Sequence, residues 1–572
     1  MLRHYRIRFT VAAVGVTIAL ALWLAPVALA DKPPHAAIAT AHPEATAAGH
    51  EILALGGNAF DAAVAITAVI GVVEPYGSGL GGGGFWLLHR QSDGYQTLLD
   101  GREKAPAAAH RDMYLDAEGN VIDGAAINGP LAAGIPGVPA AMVHLAKNYG
   151  RLPLQKSLAP AIRVASNGFA VDEQYRRYAT MRLKTLQQYP ATAEIFLENG
   201  AVPPLGHRLR QPDLARTLET IAQQGNAGFY QGTMARRIVA GVKQAGGLWS
   251  LADLENYRVI EREPIRVDYQ GMTLISAPLP SSGGIVLAGI LNMLSQYDVA
   301  TMDRVDRTHV TLEAMRRAYR DRAEYLGDSD FVEVPVARLL SREHSRQLVR
   351  DLQLDRATPS EELAPVGDPG GAGADTTHFS VLDKDGNRVA ATLSVNYLFG
   401  SCYVVPGTGF LLNDEMDDFS AKPGVPNAYG LVGAEANAIA PGKRPLSSMS
   451  PTFIENDRGV ALLGTPGGSR IITMVLLGAL EYDKGGDAPD IVKRPRFHHQ
   501  YLPDLVMYEN EAFDAELEQE LALRGHVLKK QMSPYGGGFG HYGNMQAVVW
   551  DKSRNTVSAA SDPRGIGAAT LK

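Results

Sequence analysis

The sequence predicts a mixed α+β fold, and three observations carry that expectation. Residues 379–382 and 389–395 are β-type runs around a turn, 383–387, rich in Asp, Gly and Asn, which reads as a hairpin. Residues 60–72 are almost entirely small or apolar, the mark of a buried helix, and the apolar run 85–89 after them reads as a strand. Residues 214–224 and 234–245 have the periodicity of amphipathic helices. No tandem repeat occurs, and no linker sets an independent domain apart. Pro and Gly are spread along the whole chain.

In chain order, the first segment is an address. Arg3, His4, Arg6 and Arg8 precede an apolar run over 11–24, and Ala28-Leu29-Ala30 stands before Asp31. A basic start, a short apolar core and an A-x-A site make residues 1–30 a secretory signal peptide. The run is short of the ~20 apolar residues a membrane span needs; an uncleaved anchor is the alternative. The chain holds one cysteine, Cys402, so an intramolecular disulfide and a cysteine metal cage are both excluded. Stability must come from a large core, which 572 residues can bury. Export without disulfides fits a bacterial periplasm better than a disulfide-dense extracellular niche, and the signal peptide makes the chain periplasmic or secreted. A net charge of −7 argues against nucleic acid as a partner.

Residues 42–58 read as a helix stopped by Gly56 and Gly57. The glycine run 77–84 formally matches G-x-G-x-x-G. A dinucleotide site needs that motif after a strand and before a helix, whereas here it follows a helix and precedes a strand. The glycines instead imply backbone brought close to a neighbouring strand or ligand, and a nucleotide-dependent oxidoreductase is set aside. Residues 97–106 are a strand running into a turn where Asp100, Arg102 and Glu103 cluster. Residues 140–149 form a helix, and 278–284 break the chain before another. Residues 304–325 are charged and helical, so their Arg-rich face is expected in solvent. No H-E-x-x-H or P-loop pattern occurs, and His498-His499 alone makes no metal site; neither metal nor organic cofactor is expected.

The chemistry centres on Asp375-Thr376-Thr377-His378. The lead-in over 367–374 (GDPGGAGA) cannot hold regular structure, so Thr376 opens a strand at the end of a loose linker. A cut before it would create a threonine with a free α-amine, of pKa about 8, on the same residue as the nucleophilic hydroxyl.

Thr376-Thr377-His378-Phe379-Ser380, residues 413–420 (NDEMDDFS), 443–451 (KRPLSSMSP) and 465–469 (TPGGS) resemble the signature blocks of the γ-glutamyltransferases, or γ-glutamyl transpeptidases. The likeness runs from about Ala37 to the C-terminus. It implies a four-layer αββα sandwich of the N-terminal-nucleophile hydrolase type. It also implies a precursor that cuts itself between Asp375 and Thr376 into a large chain, 31–375, and a small catalytic chain, 376–572, which stay paired.

Carried over by position, Thr376 is the nucleophile and Ser394, where the family often has Thr, supports it. Gly467 and Gly468 supply backbone N–H groups for the oxyanion. Arg102, with Ser447 and Ser448, meets a substrate α-carboxylate. Glu415, Asp418 and Asn396 meet its α-ammonium. The Gly/Pro-rich stretch 422–433 resembles the family's lid loop, with Tyr429 covering the pocket. The resemblance implies cleavage of glutathione and other γ-glutamyl compounds through a γ-glutamyl–Thr376 ester, passed to water or to an amino acid or peptide amine. A cephalosporin or glutaryl acylase on the same scaffold, and an uncut secreted binding protein with a degenerate site, are the rivals.

Overall fold

The computed structural model describes residues 32–363, 376–428, 430–531 and 542–572. The signal segment, the linker ending at Asp375, and Tyr429 lie outside the described residues. Two antiparallel sheets dominate. One runs in the order Ala568–Leu571, Ala37–Thr40, Thr377–Leu382, Arg388–Ser394, Gly83–Arg90, Tyr95–Asp100, Ile260–Arg262. The other runs Thr556–Ser561, Gln546–Asp551, Gly459–Gly464, Thr452–Asn456, Met272–Ser276, Ile265–Tyr269. The sheets pack face to face, with Thr377–Leu382 and Arg388–Ser394 against Gly459–Gly464. Pro43–Ala54 and Ala59–Val73 cover the outside of the first sheet, and Gly283–Leu294, Arg470–Asp483 and Ala488–Lys493 the outside of the second. This is the expected helix–sheet–sheet–helix order.

The central hairpin is buried on both faces, and its alternation sorts residues between two layers. Phe379, Val381, Val389, Ala391 and Leu393 join the core under the first helix layer. His378, Ser380 and Thr392 turn toward the second sheet. His378 accepts or donates to Thr392 Oγ1 at 2.8 Å and Ser380 Oγ at 3.2 Å, and burial pushes its pKa down to about 3, so the ring is neutral. Its ring fills the space a side chain at Gly464 would need: a Cβ there would lie 2.3 Å from it.

Both sheets mix strands from before and after Asp375. Neither segment can complete a sheet alone, so a cut at the linker leaves two chains that hold each other through backbone ladders and a shared core.

The helix Arg304–Tyr325 corrects an expectation. Its Arg-rich face is not in solvent: Arg316, Arg317 and Arg322 are all buried. Glu313 sits three and four residues before Arg316 and Arg317 and pairs with both. Those arginines also bind Asp504, Ser360 Oγ, Thr358 Oγ1 and the Leu348 carbonyl. The charges neutralise one another inside the fold, which a charge pattern read one residue at a time does not reveal. Ser360 in turn donates its N–H to Asp504 and its hydroxyl to the Tyr501 carbonyl, each at 2.7 Å, so the chain is anchored shortly before the linker. Among the described residues no helix is long and apolar enough to cross a membrane.

Candidate active site

Thr377 pairs with Leu393 in the hairpin register, so Thr376 and Ser394 stand opposite each other at its open end. Their hydroxyls are 3.4 Å apart. Ser394 Oγ also accepts the Asn396 N–H at 2.8 Å, which ties it to the turn that follows. The glycine run does what its composition implied. A Cβ on Gly82 would fall 2.1 Å from the Ser394 carbonyl oxygen, and one on Gly81 1.9 Å from that of Leu411. Only glycine lets these backbones approach so closely around the end of this hairpin. Next to it, Glu74 accepts the Thr377 hydroxyl at 2.7 Å; burial raises its carboxyl above the ordinary range.

Arg102 reaches the same cleft from the end of Tyr95–Asp100. Asp100 accepts its backbone N–H at 2.8 Å and is itself held by Arg262 and Arg444. Its Nε donates to the Pro445 carbonyl, while Nη1 pairs with Glu415 and Nη2 with Asp418. Glu415 and Asp418 sit on a short 3₁₀ turn. Asn413 pins that turn by accepting the N–H groups of Gly134 and Glu415 and donating to the carbonyls of Gly81 and Gly134.

Thr376, Ser394, Arg102, Asn396, Glu415, Asp418, Ser447, Ser448 and Gly468 thus line one small cleft. Gly467 lies one residue outside that lining. Its φ is +141° and that of Gly468 +56°, conformations that favour glycine. Neither N–H has a hydrogen-bond acceptor among the described residues, and both precede the first turn of Arg470–Asp483, where helix dipoles favour negative charge. Ser447 Oγ accepts the Met449 N–H, and Ser448 Oγ accepts from Arg322.

The loop expected as a lid is tied to the acidic turn. Asn427 Nδ2 donates to Asp418 Oδ1 at 3.2 Å and the Ala428 N–H to Asp417 Oδ2 at 3.0 Å. Leu431 of this loop lines the cleft. With Met449, Ser469 and Ile471 it is a lining residue that sequence reasoning did not single out. Met449 and Ser469 lie inside quoted blocks; Leu431 and Ile471 are apolar and carry no chemical signal.

Three carboxyls adjoin residues of this lining and are held toward their neutral form. Burial pushes Glu103 up to about 8, although Arg102 lies 3.6 Å away, and neither of its oxygens has a hydrogen-bond partner. Burial, with Asp418 beside it, pushes Asp417 up to about 7, and Asp414 is raised well above its ordinary value by burial.

The two adjacent histidines and the cysteine have partners away from this cleft. His498 bonds Thr473 and Gln500, and His499 bonds Asp504. Cys402 is buried and accepts from Arg182. Among the described residues no group of three or more His, Cys, Asp or Glu is arranged to hold a metal ion.

Comparison with known proteins agrees with this geometry. The family model described as Gamma-glutamyltranspeptidase matches residues 45–571. The chain is 44% identical over 489 residues to a glutathione hydrolase proenzyme of Pseudomonas sp. (strain A14), covering 85% of each chain. It is 41% identical over 540 residues to the glutathione hydrolase proenzyme of Escherichia coli (strain K12), covering 93% of this chain and 91% of that one. Its structure resembles a cephalosporin acylase from Bacillus halodurans, with a TM-score of 0.82 at 28% identity over 94% of this chain and 96% of the other. A family match over almost the whole length, with relatives above 40% identity, is decisive: the chain belongs to the γ-glutamyltranspeptidase family.

Proposed function

We propose that the cleft is a γ-glutamyl acyl-transfer site built by self-cleavage, in which Thr376 is nucleophile and, once freed, its own base. The observation that carries this is the meeting of Arg102, from one side of the linker, with Thr376, Glu415 and Asp418 from the other. In maturation, Thr376 Oγ1 attacks the Asp375 carbonyl, the peptide bond gives way to an ester, and water releases the carboxylate. The α-amine so freed then takes the hydroxyl proton as Oγ1 attacks a γ-glutamyl carbonyl. The N–H groups of Gly467 and Gly468 receive the oxyanion. The leaving amine departs with a proton, and water or an amino acid or peptide amine attacks the ester to free Thr376.

Recognition works by exchange. Without substrate, Arg102 spends its two Nη groups on Glu415 and Asp418. A zwitterionic head offers a carboxylate to Arg102 and an ammonium to the released carboxylates, so each charge finds a new partner in one step. Asn396, Ser447 and Ser448 complete the head-group cradle. The leaving portion of glutathione, or of another γ-glutamyl compound, then points toward the loop over 422–433. The acylase reading has no need of ammonium acceptors, and the presence of Glu415 and Asp418 in the lining favours the γ-glutamyl one. In the cell the chain is an exported protein, working in the periplasm or outside as the paired large and small chains.

The test is maturation. Wild-type protein should give two chains on a denaturing gel, and the smaller should begin at Thr376 by N-terminal sequencing. Thr376→Ala should give one inactive chain, and Thr376→Ser a slowly cut one. A small chain starting at any other residue would remove the mechanism.

A further inference from the structure

A second, larger cavity lies away from the acyl-transfer cleft. Its volume is about 640 Å³, within the ~300–1,000 Å³ typical of small-molecule sites, and one side is open to solvent. The helix Arg470–Asp483 joins the two places: its first turn borders the catalytic cleft, and its last turns wall the cavity, about 20 Å along at 1.5 Å per residue. The far wall is Leu294 and the first half of Arg304–Tyr325. The cavity is therefore shared between the segments on either side of Asp375.

Its lining has two characters. Leu294, Leu477, Phe513 and Leu517, all buried, form an apolar floor. Arg307, Lys484 and Arg494 bring cations to the rim. Arg494 is paired with Glu481, and Arg304 nearby with Asp514. Arg307 and Lys484 have no ion-pair partner among the described residues. Lys484 is pulled below the ordinary lysine range by burial and by the facing charges of Arg494 and Arg307, against the opposite pull of Glu481 and Asp483. A third feature is Tyr269, 2% exposed, which lines the cavity with a hydroxyl that has no hydrogen-bond partner. An unpaired buried hydroxyl costs free energy unless something meets it.

We propose that this cavity binds an amphipathic organic anion, an apolar body of about aryl size with a phosphate, sulfate or carboxylate head, gripped by Arg307 from the large segment and Lys484 from the small. The apolar floor takes the body, the two cations take the head, and the Tyr269 hydroxyl supplies a further donor. Carboxylates share the rim, so the cationic pair selects where the head sits. A ligand that touches both segments favours their association by mass action.

Titration calorimetry of the purified, processed enzyme with 2-naphthyl phosphate tests this, with inorganic phosphate and 2-naphthol as separate probes. The naphthyl phosphate should bind saturably, tighter than either part alone, and should raise the unfolding midpoint with concentration. Arg307→Ala/Lys484→Ala should weaken it about tenfold or more, the loss of at least one charge-assisted hydrogen bond. Lys484→Ala alone should shift affinity in the same direction. Equal affinity for 2-naphthol, or undiminished binding by the double variant, would overturn the proposal.

Discussion

Replacing Asp418 by asparagine separates reading an ammonium from supporting the fold. The Arg102 side chain is fully buried and that of Asp418 is 12% exposed, so their pairing sits in a poorly solvated place. Removing one side of such a charged contact costs about 2–5 kcal/mol, or about 30- to 5,000-fold. For a γ-glutamyl donor the loss should appear in kcat/KM, chiefly through KM, because the introduced amide no longer meets the ammonium with a charge. A glutaryl donor has the same carbon chain and terminal carboxylate but no amine. Without substrate, Asp418 competes for Arg102 Nη2; once neutral, it competes less. Glutaryl donors should therefore be hydrolysed as well as before, or better. Arg102 keeps Glu415, so the variant should fold. Paired assays with γ-glutamyl and glutaryl anilides decide the matter. Equal penalties for the two donors would show that Asp418 holds the fold rather than the ammonium, and the acylase reading would gain.

Three further outcomes follow from the same geometry. Gly468→Ala keeps its N–H but strains a backbone at φ +56°, so by turning that N–H off the oxyanion it should lower kcat, by up to the about 10²–10³ of a lost donor, with far-UV circular dichroism unchanged; wild-type turnover would take this backbone out of the oxyanion site. Glu103→Gln should stabilise the protein increasingly with pH. The buried carboxyl keeps its proton to about 8 while the unfolded chain loses it near 4.5, so wild-type stability falls by up to about 1.4 kcal/mol per pH unit across that window and the variant escapes the loss. Melting curves of both proteins at pH 5 and pH 7.5 measure the gap. Arg316→Ala should cost about 3–5 kcal/mol by leaving Glu313 and Asp504 short of a partner, whereas exposed Arg342→Ala should stay within about 0.5 kcal/mol; similar melting points for the two would show that the buried network does not stabilise the fold.

The sequence by itself determined the local elements. The hairpin around 383–387 was legible because turn residues and period-two runs are local properties. Its register then follows from the turn and places Thr376 opposite Ser394. The buried helix Ala59–Val73 and the close backbone approach of the glycine run were equally plain, since apolarity and missing side chains need no partner to be read. Only the tertiary structure decided what met what. Arg102 is more than three hundred residues from Glu415 and Asp418, and nothing local says that they neutralise one another before a substrate arrives. The helix Arg304–Tyr325 looked like a solvated charged surface because its arginines find Asp504, Ser360 and Thr358 far along the chain. Whether a charge is buried depends on partners that folding brings together. The identity of a residue states its charge, and only the packing states its solvent.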